Sequence, residues 1–224
     1  MPKQIAVIGL GRFGSTIART LHQMGHNVLA IDEDSRVVEE HRGNTTYPVQ
    51  ADATIDTVLR ELDIQSYDIV VVAIGSNITA NIMSTVLLLS LGVEEERIVV
   101  QAQNQLHSDT LQRLGIRHVV TPEQETGIRL AHTLFHTEIT EYISLTPNYG
   151  LGLMKLPPNL VNKTLRDVGL GGARDRYRMA VLALRRGRNV ILSPDENEQL
   201  QEGDWLVIAG GDEELEKLVS LTVE

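Results

Sequence analysis

Six strand-like apolar runs dominate the first half of the chain: QIAVIG (4–9), NVLAID (27–32), TYPVQAD (46–52), DIVVVAI (68–74), RIVVQAQ (97–103) and RHVVTP (117–122). Most lack the polar alternation of a strand with one wet face, so they read as strands covered on both sides, as in a parallel sheet. Helical periodicity begins after five of them, near Phe13, Ser35, Thr54, Asn77 and Gln105. Strand and helix in strict alternation predict an α/β, doubly wound parallel sheet of the Rossmann type over about residues 1–122.

Thr121-Pro122-Glu123-Gln124 then has the form of a helix start, with threonine as N-cap, proline at the first position and glutamine closing a capping box. Ile128, Leu130, Ala131, Leu134 and Phe135 follow at helical spacing, which suits a linking helix that also serves dimerisation. After Glu138 the texture changes. EYISLT and GLGLMKL read as strands, KTLRDVGL as a short helix, RMAVLALRRGRNVILSP as a hairpin around Gly187, and DWLVIAG before DEELEKLV as strand then helix. The expected organisation is a nucleotide-binding domain with its linking helix at 1–138 and a small α+β domain at 139–224.

Composition narrows the function. A formal net charge of −10 counts against nucleic acid and against anionic lipid as main partners. With no cysteine, disulfides, thiolate catalysis and sulfur-ligated zinc are all excluded. The start, Met-Pro-Lys-Gln, runs straight into a strand without a signal-peptide pattern, and a cytoplasmic location is expected. Residues 69–93 contain no charge and are long enough to span a bilayer. Gly75, Ser76, Asn77, Thr79 and Asn81 interrupt that stretch, so a buried strand followed by a buried helix accounts for it better.

Between the first strand and its helix lies Gly9-Leu10-Gly11-Arg12-Phe13-Gly14, and the second strand ends in Asp32, 18 residues after Gly14. The three glycines divide the duties of a nucleotide loop: a tight turn, close approach of backbone to phosphate, and close helix–strand packing. The helix start offers free N–H groups to an anion. Asp32 is placed to accept from ribose hydroxyls, and its charge disfavours a 2′-phosphate. Arg12 suits either a solvated surface or a guanidinium for phosphate, at its own site or at a neighbouring subunit's. Two further stretches fall at carboxyl ends of strands, Asp52-Ala53-Thr54 and Gly75-Ser76-Asn77. Asp52 fits two roles equally, acceptor for the adenine amino group or cap for the next helix.

Candidates for chemistry are few. His22, His26 and His41 belong to the early helices, and His132 and His136 stand one helical turn apart, a spacing of a polar helix face as much as of a metal pair. His107, after the fifth strand, is the one histidine expected near the site. There is no nucleophile elbow, Walker lysine or zinc signature, which points to binding without turnover. A small NAD-dependent oxidoreductase is the alternative, since the loop and Asp32 would serve it equally; a redox-sensing transcription regulator is disfavoured by charge.

The motifs VIGLGRFG, LAID, QADAT, VVVAIGSN, VQAQN and TPEQETG, in that order, resemble the N-terminal RCK domain, the regulator of potassium conductance found in Ktr and Trk potassium uptake systems. The tail from EYISL through ILSPDENEQLQEGDWLVIAG is similar to the small C-terminal RCK domain, so the resemblance covers nearly the whole chain and is strongest to the Ktr-type regulatory subunit. It implies a non-catalytic subunit that binds ATP, ADP or NAD(H), forms dimers that assemble into an octameric gating ring, and controls a separate integral-membrane potassium-translocating subunit at the inner face of the cell membrane. By position, Gly9, Gly11 and Gly14 would hold phosphates with Arg12 and Phe13 beside them, and Asp32 the ribose. Asp52 and Ala53 would lie by the adenine, and Gly75, Ser76 and Asn77 on the opposite wall. Arg12 matches an arginine that senses a terminal phosphate across the dimer contact. Glu123 matches an acidic position that in some members helps bind a divalent cation such as magnesium or calcium; helix capping explains it as well. Gln101 stands where many members carry lysine or arginine. Some members bind cyclic di-AMP in the small domain, and no residue here decides that point.

Overall fold

A computed structural model describes residues 1–135, 139–146, 148–170 and 178–220. The chain divides into two units, Met1–Gln124 and Glu125–Glu224. That division falls earlier than the boundary expected at 138/139, because the linking helix sorts with the second unit for all but its first residues. There Glu125, Thr126, Ile128 and Arg129 share a hollow with Tyr142 and Ile143.

The first unit alternates strand and helix throughout: β1 (Gln4–Ile8), α1 (Arg12–Gln23), β2 (Asn27–Asp32), α2 (Ser35–Glu40), β3 (Tyr47–Gln50), α3 (Asp56–Glu61), β4 (Ile69–Val72), α4 (Ile78–Ser90), β5 (Ile98–Gln101), α5 (Gln105–Arg113) and β6 (His118–Val120). Its six strands are parallel in the order β3-β2-β1-β4-β5-β6. Alternate residues of one strand feed two cores. Ala6 and Ile8 of β1 join Leu29, Ile31, Val70 and Val72 on one face, while Ile5 and Val7 join Val28, Ala30 and Val71 on the other. Burial on both faces is why these strands carry no polar alternation. The chain leaves β1 toward β2 on one side and later returns to β4 on the other, so the loops beyond β1 and β4 diverge and leave a crevice at their carboxyl ends.

The uncharged stretch 69–93 resolves as β4 and α4, and among the described residues no helix is long and apolar enough to cross a membrane. Helix α3 starts at Asp56 rather than near Thr54, because Asp52 Oδ1 accepts from both the N–H (2.8 Å) and the hydroxyl (2.7 Å) of Thr54 and holds that segment as a turn.

Helix α6 (Pro122–Phe135) leads to the second unit: β7 (Ile139–Thr146), β8 (Tyr149–Lys155), α7 (Leu165–Val168), β9 (Ala180–Arg186), β10 (Asn189–Leu192), β11 (Trp205–Gly211) and α8 (Asp212–Ser220). The five strands are antiparallel in the order β10-β9-β11-β8-β7. The inward residues Met154, Leu184, Leu206 and Ile208 pack with Leu165, Leu170, Leu215 and Leu218 into a core of their own. Gly187, at φ +58°, turns the β9–β10 hairpin, and Thr164 and Asp167 form a reciprocal capping box on α7. Arg186 reaches Asp204 with two hydrogen bonds of 3.0 and 2.9 Å, and Asp204 is fully buried.

Candidate functional site

The crevice beyond β1 and β4 is a cleft of about 450 Å³, within the range of small-molecule sites. The glycine loop forms its floor, and each glycine there does something different. Gly9 has φ +91°, and a Cβ on it would press against the Ala73 carbonyl oxygen at 2.9 Å. Gly14 is buried below the wall, where an added Cβ would collide with the Gly9 carbonyl oxygen; it lets α1 lie close on β1 and does not face the cleft. Gly11 lines the cleft, and the space where its Cβ would stand is open.

Gly11 is also the N-cap of α1 and offers no side-chain cap, and the first turn carries no acidic residue. The N–H groups that open a twelve-residue helix therefore lack a side-chain acceptor from the cap, and the helix starts at the cleft with the positive end of its dipole there. Arg12 and Phe13 stand beside them on the wall, Arg12 exposed.

Asp32 ends β2 and is fixed by the loop it faces. Its Oδ2 accepts from the Leu10 N–H at 2.7 Å and its Oδ1 from the Asp34 N–H at 2.9 Å. Each carboxylate oxygen keeps lone-pair capacity for a hydroxyl donor. Asp52 and Ala53, from the β3 exit, line the same cleft, as do Gly75, Ser76 and Asn77 from the β4 exit. Asp52 holds the Thr54 turn through one oxygen and does not cap α3, whose N-cap is Ile55 with no side-chain cap; its second oxygen has no partner among the described residues. Asn77 caps α4 by accepting from the Ala80 N–H at 3.0 Å. Thus eleven of the twelve expected site residues line one cleft, Gly14 being the exception.

Three parts of the site are not evident from the motifs. Asn81, fully buried in α4, donates through Nδ2 to the carbonyls of Ile74 and Gln101, each at 3.0 Å, and so ties the exit of β4 to the end of β5. The signal for it is a polar residue inside an apolar helix, four positions after the Asn77 cap. Gln101 is 4% exposed, lines the cleft, and sits so near Gly75 that a Cβ there would be 2.9 Å from its Nε2. That Nε2 donates to Glu123 Oε1 at 3.3 Å. Within one chain Glu123 thus meets an amide. Among the described residues no group of three or more acidic, histidine or cysteine side chains is gathered to hold a metal ion.

The expectation that His107 stands near the site is corrected. It belongs to α5, is 3% exposed and does not line the cleft. Its Nδ1 accepts from the Gln103 N–H at 3.3 Å, its Nε2 is buried without a partner, and burial lowers its pKa from the usual 6.5. His22 meets the Thr46 hydroxyl and His26 the Lys3 N–H. The pairing considered for His132 and His136 falls on His136, which lies outside the described residues.

A parallel Rossmann-like sheet with a glycine-loop cleft, followed by a small antiparallel unit, defines a class of protein in which a Rossmann-type domain carries a second, smaller domain. The fold is that of the solved GsuK RCK domain (TM-score 0.62, 17% identity, all of this chain and 48% of that one) and of the GsuK channel bound to NAD (TM-score 0.61, 17% identity, all of this chain and 40% of that one). The chain therefore spans about half or less of the length of those structures. The TrkA-N domain matches residues 5–122 and the TrkA-C domain residues 153–222, and the chain belongs to that family. It is 36% identical to Ktr system potassium uptake protein C of Bacillus subtilis (94% of this chain, 93% of that protein) and 35% identical to protein A of the same organism (96% and 95%). Protein A of Vibrio alginolyticus is 32% identical over 98% of both.

Proposed function

We propose that the chain is a non-catalytic regulatory subunit of a potassium uptake system, which binds an adenine nucleotide, ATP/ADP or NAD(H), in the β1–β4 cleft and passes that state to an integral-membrane ion-translocating partner. One observation carries the nucleotide part: Asp32 is held by the Leu10 N–H across from an uncapped helix start, which sets a ribose acceptor and an anion place on one floor. The near-full-length likeness to Ktr system potassium uptake proteins supports the potassium part.

The absence of turnover rests on the lining of the cleft. Its described residues include no histidine, lysine, tyrosine or cysteine, which leaves phosphoryl transfer without a P-loop lysine and hydride transfer without the histidine or lysine sought from the sequence. With His107 inside α5, the oxidoreductase reading loses its one candidate group. Homodimers assembling into an octameric ring complete the proposal, since a nucleotide can bias a gate only by binding its two states unequally, and identical sites in a ring add such biases.

Native mass spectrometry of the purified chain tests the reading, with a co-purifying adenine nucleotide and an even subunit number expected. In vesicles carrying the membrane partner, nucleotide should change potassium flux, and Arg12→Ala should reduce that response. Steady oxidation of NADH or release of phosphate from ATP at about one per second, an ordinary enzyme rate, would instead mean catalysis.

A further inference from the structure

We infer, building on the nucleotide reading above, that Asn81 is a positioning residue for the cleft: it holds the β4 and β5 walls together from outside, and nucleotide affinity depends on that hold. Ile74, Gly75, Ser76, Asn77 and Gln101 line the cleft, and Asn81 does not. The ladder between β4 and β5 pairs Val70 with Ile98, Val71 with Val99 and Val72 with Val100, and ends there. Beyond it lie the carbonyls of Ile74 and Gln101, two acceptors that cannot bond each other. The Asn81 amide carries two protons on Nδ2 and donates to both, each at 3.0 Å. A side chain of α4 thus supplies one more rung where the backbone has none to give.

Packing alone does not call for an amide at this position. Helix α4 carries no charged residue, Asn81 is fully buried, and its Oδ1 has no hydrogen-bond partner among the described residues. An unpaired buried acceptor is destabilising, and a leucine of similar size would avoid it. What the amide secures is the wall. The Gln101 side chain rests in the space left by Gly75, where a Cβ would stand 2.9 Å from its Nε2. That fit needs a fixed separation between the β4 exit and the end of β5, and Asn81 ties one to the other. Without the tie, a ligand would have to order residues 74–77 itself, which lowers affinity.

Calorimetry on the full chain with ADP and NAD as probes, joined to amide exchange without ligand, tests this. Asn81→Leu removes both donors at nearly constant volume. Leu88→Ala is the control, a fully buried residue further along α4 that belongs to the apolar core. Both variants should lower the melting temperature. Only Asn81→Leu should weaken the bound probe, by about tenfold well below the melting temperature. Only there should the Ala73 and Ala102 amides, bonded to the Ile8 and Val120 carbonyls beside the tied ends, exchange faster than the global loss explains. If Asn81→Leu does not fold, Asn81→Ser, which keeps a single donor, is read in the same way. Unchanged affinity or exchange in the Asn81 variant, or equal changes in Leu88→Ala, overturns the inference and leaves the nucleotide reading intact. If the unaltered chain binds neither probe, both fail.

Discussion

The carboxylate of Asp32 and the backbone N–H of Leu10 are joined at 2.7 Å, so the residue that ends β2 also fixes the middle of the glycine loop. Removing that carboxylate undoes two things at once. Asp32→Ala should lower nucleotide affinity by about ten- to a hundredfold, the loss of a charge-assisted acceptor for ribose. It should also loosen the loop, so amide exchange at Leu10 and Asp34 should speed up even without ligand. Unchanged affinity by calorimetry would remove Asp32 from the site.

Gly11 and Gly14 separate binding from folding. Gly11→Ala places a methyl group in open space at a φ of −60°, which any residue adopts. Its melting temperature should stay close to that of the unaltered chain while nucleotide affinity falls at least tenfold, because the methyl occupies the approach to phosphate. Gly14→Ala drives a Cβ into the Gly9 carbonyl and should cost on the order of 3 kcal/mol as overpacking. Thermal melts with and without nucleotide distinguish the two.

His107 gives a pH dependence with a definite sign. Burial lowers its pKa below the 6.5 of the unfolded chain, so the unfolded state binds the proton first as pH falls. Its contribution to stability is complete above about pH 6.5 and declines as pH drops below that value toward the native pKa. Denaturation at pH 7.5, 6.5 and 5.5 should show a steeper loss for the unaltered chain than for His107→Gln. Parallel curves would mean that the proton enters without opening the fold.

In the second unit, Arg186→Met should be costly. Asp204 is fully buried and loses both guanidinium hydrogen bonds, keeping only the Gln201 N–H at 2.9 Å. Stranding a buried carboxylate in this way costs about 3 kcal/mol. Asp204→Asn in the same background should restore much of the stability, since an amide carries no charge to strand. Urea titrations of the unaltered chain and the two variants supply the comparison.

What the sequence disclosed follows from which interactions are local. The β1 loop and Asp32 are legible because turn geometry and helix polarity act over a few residues, and the six strands because burial on both faces leaves an unbroken apolar run. The boundary after Gln124 is not legible, since α6 reads as one helix while the packing of Glu125–Arg129 is decided by Tyr142 and Ile143 on a later strand. Asn81 and Gln101 escape for a similar reason: 20 residues apart in sequence, they meet only once α4 packs beside β5. His107 misled because lying after a strand's carboxyl end does not fix which way a helix turns its side chains. The exposed positions of Ile128, Leu130 and Leu134 on α6 agree with the helical spacing read from them, and periodicity alone cannot say whether such a stripe is covered.

Among the described residues the two sheets share no strand, and their buried clusters share no residue. By mass action, a molecule bound in the cleft adds its free energy to whichever cooperative unit contains the cleft, by RT ln(1 + [L]/Kd). Unit 1 closes its cleft with residues as early as Ile8 and as late as Glu123, so nearly all of it is held by one ligand. Calorimetric scans should then resolve two endotherms, of which one climbs with nucleotide concentration while the other stays put. The moving peak measures occupancy and the stationary one serves as an internal standard in the same capillary.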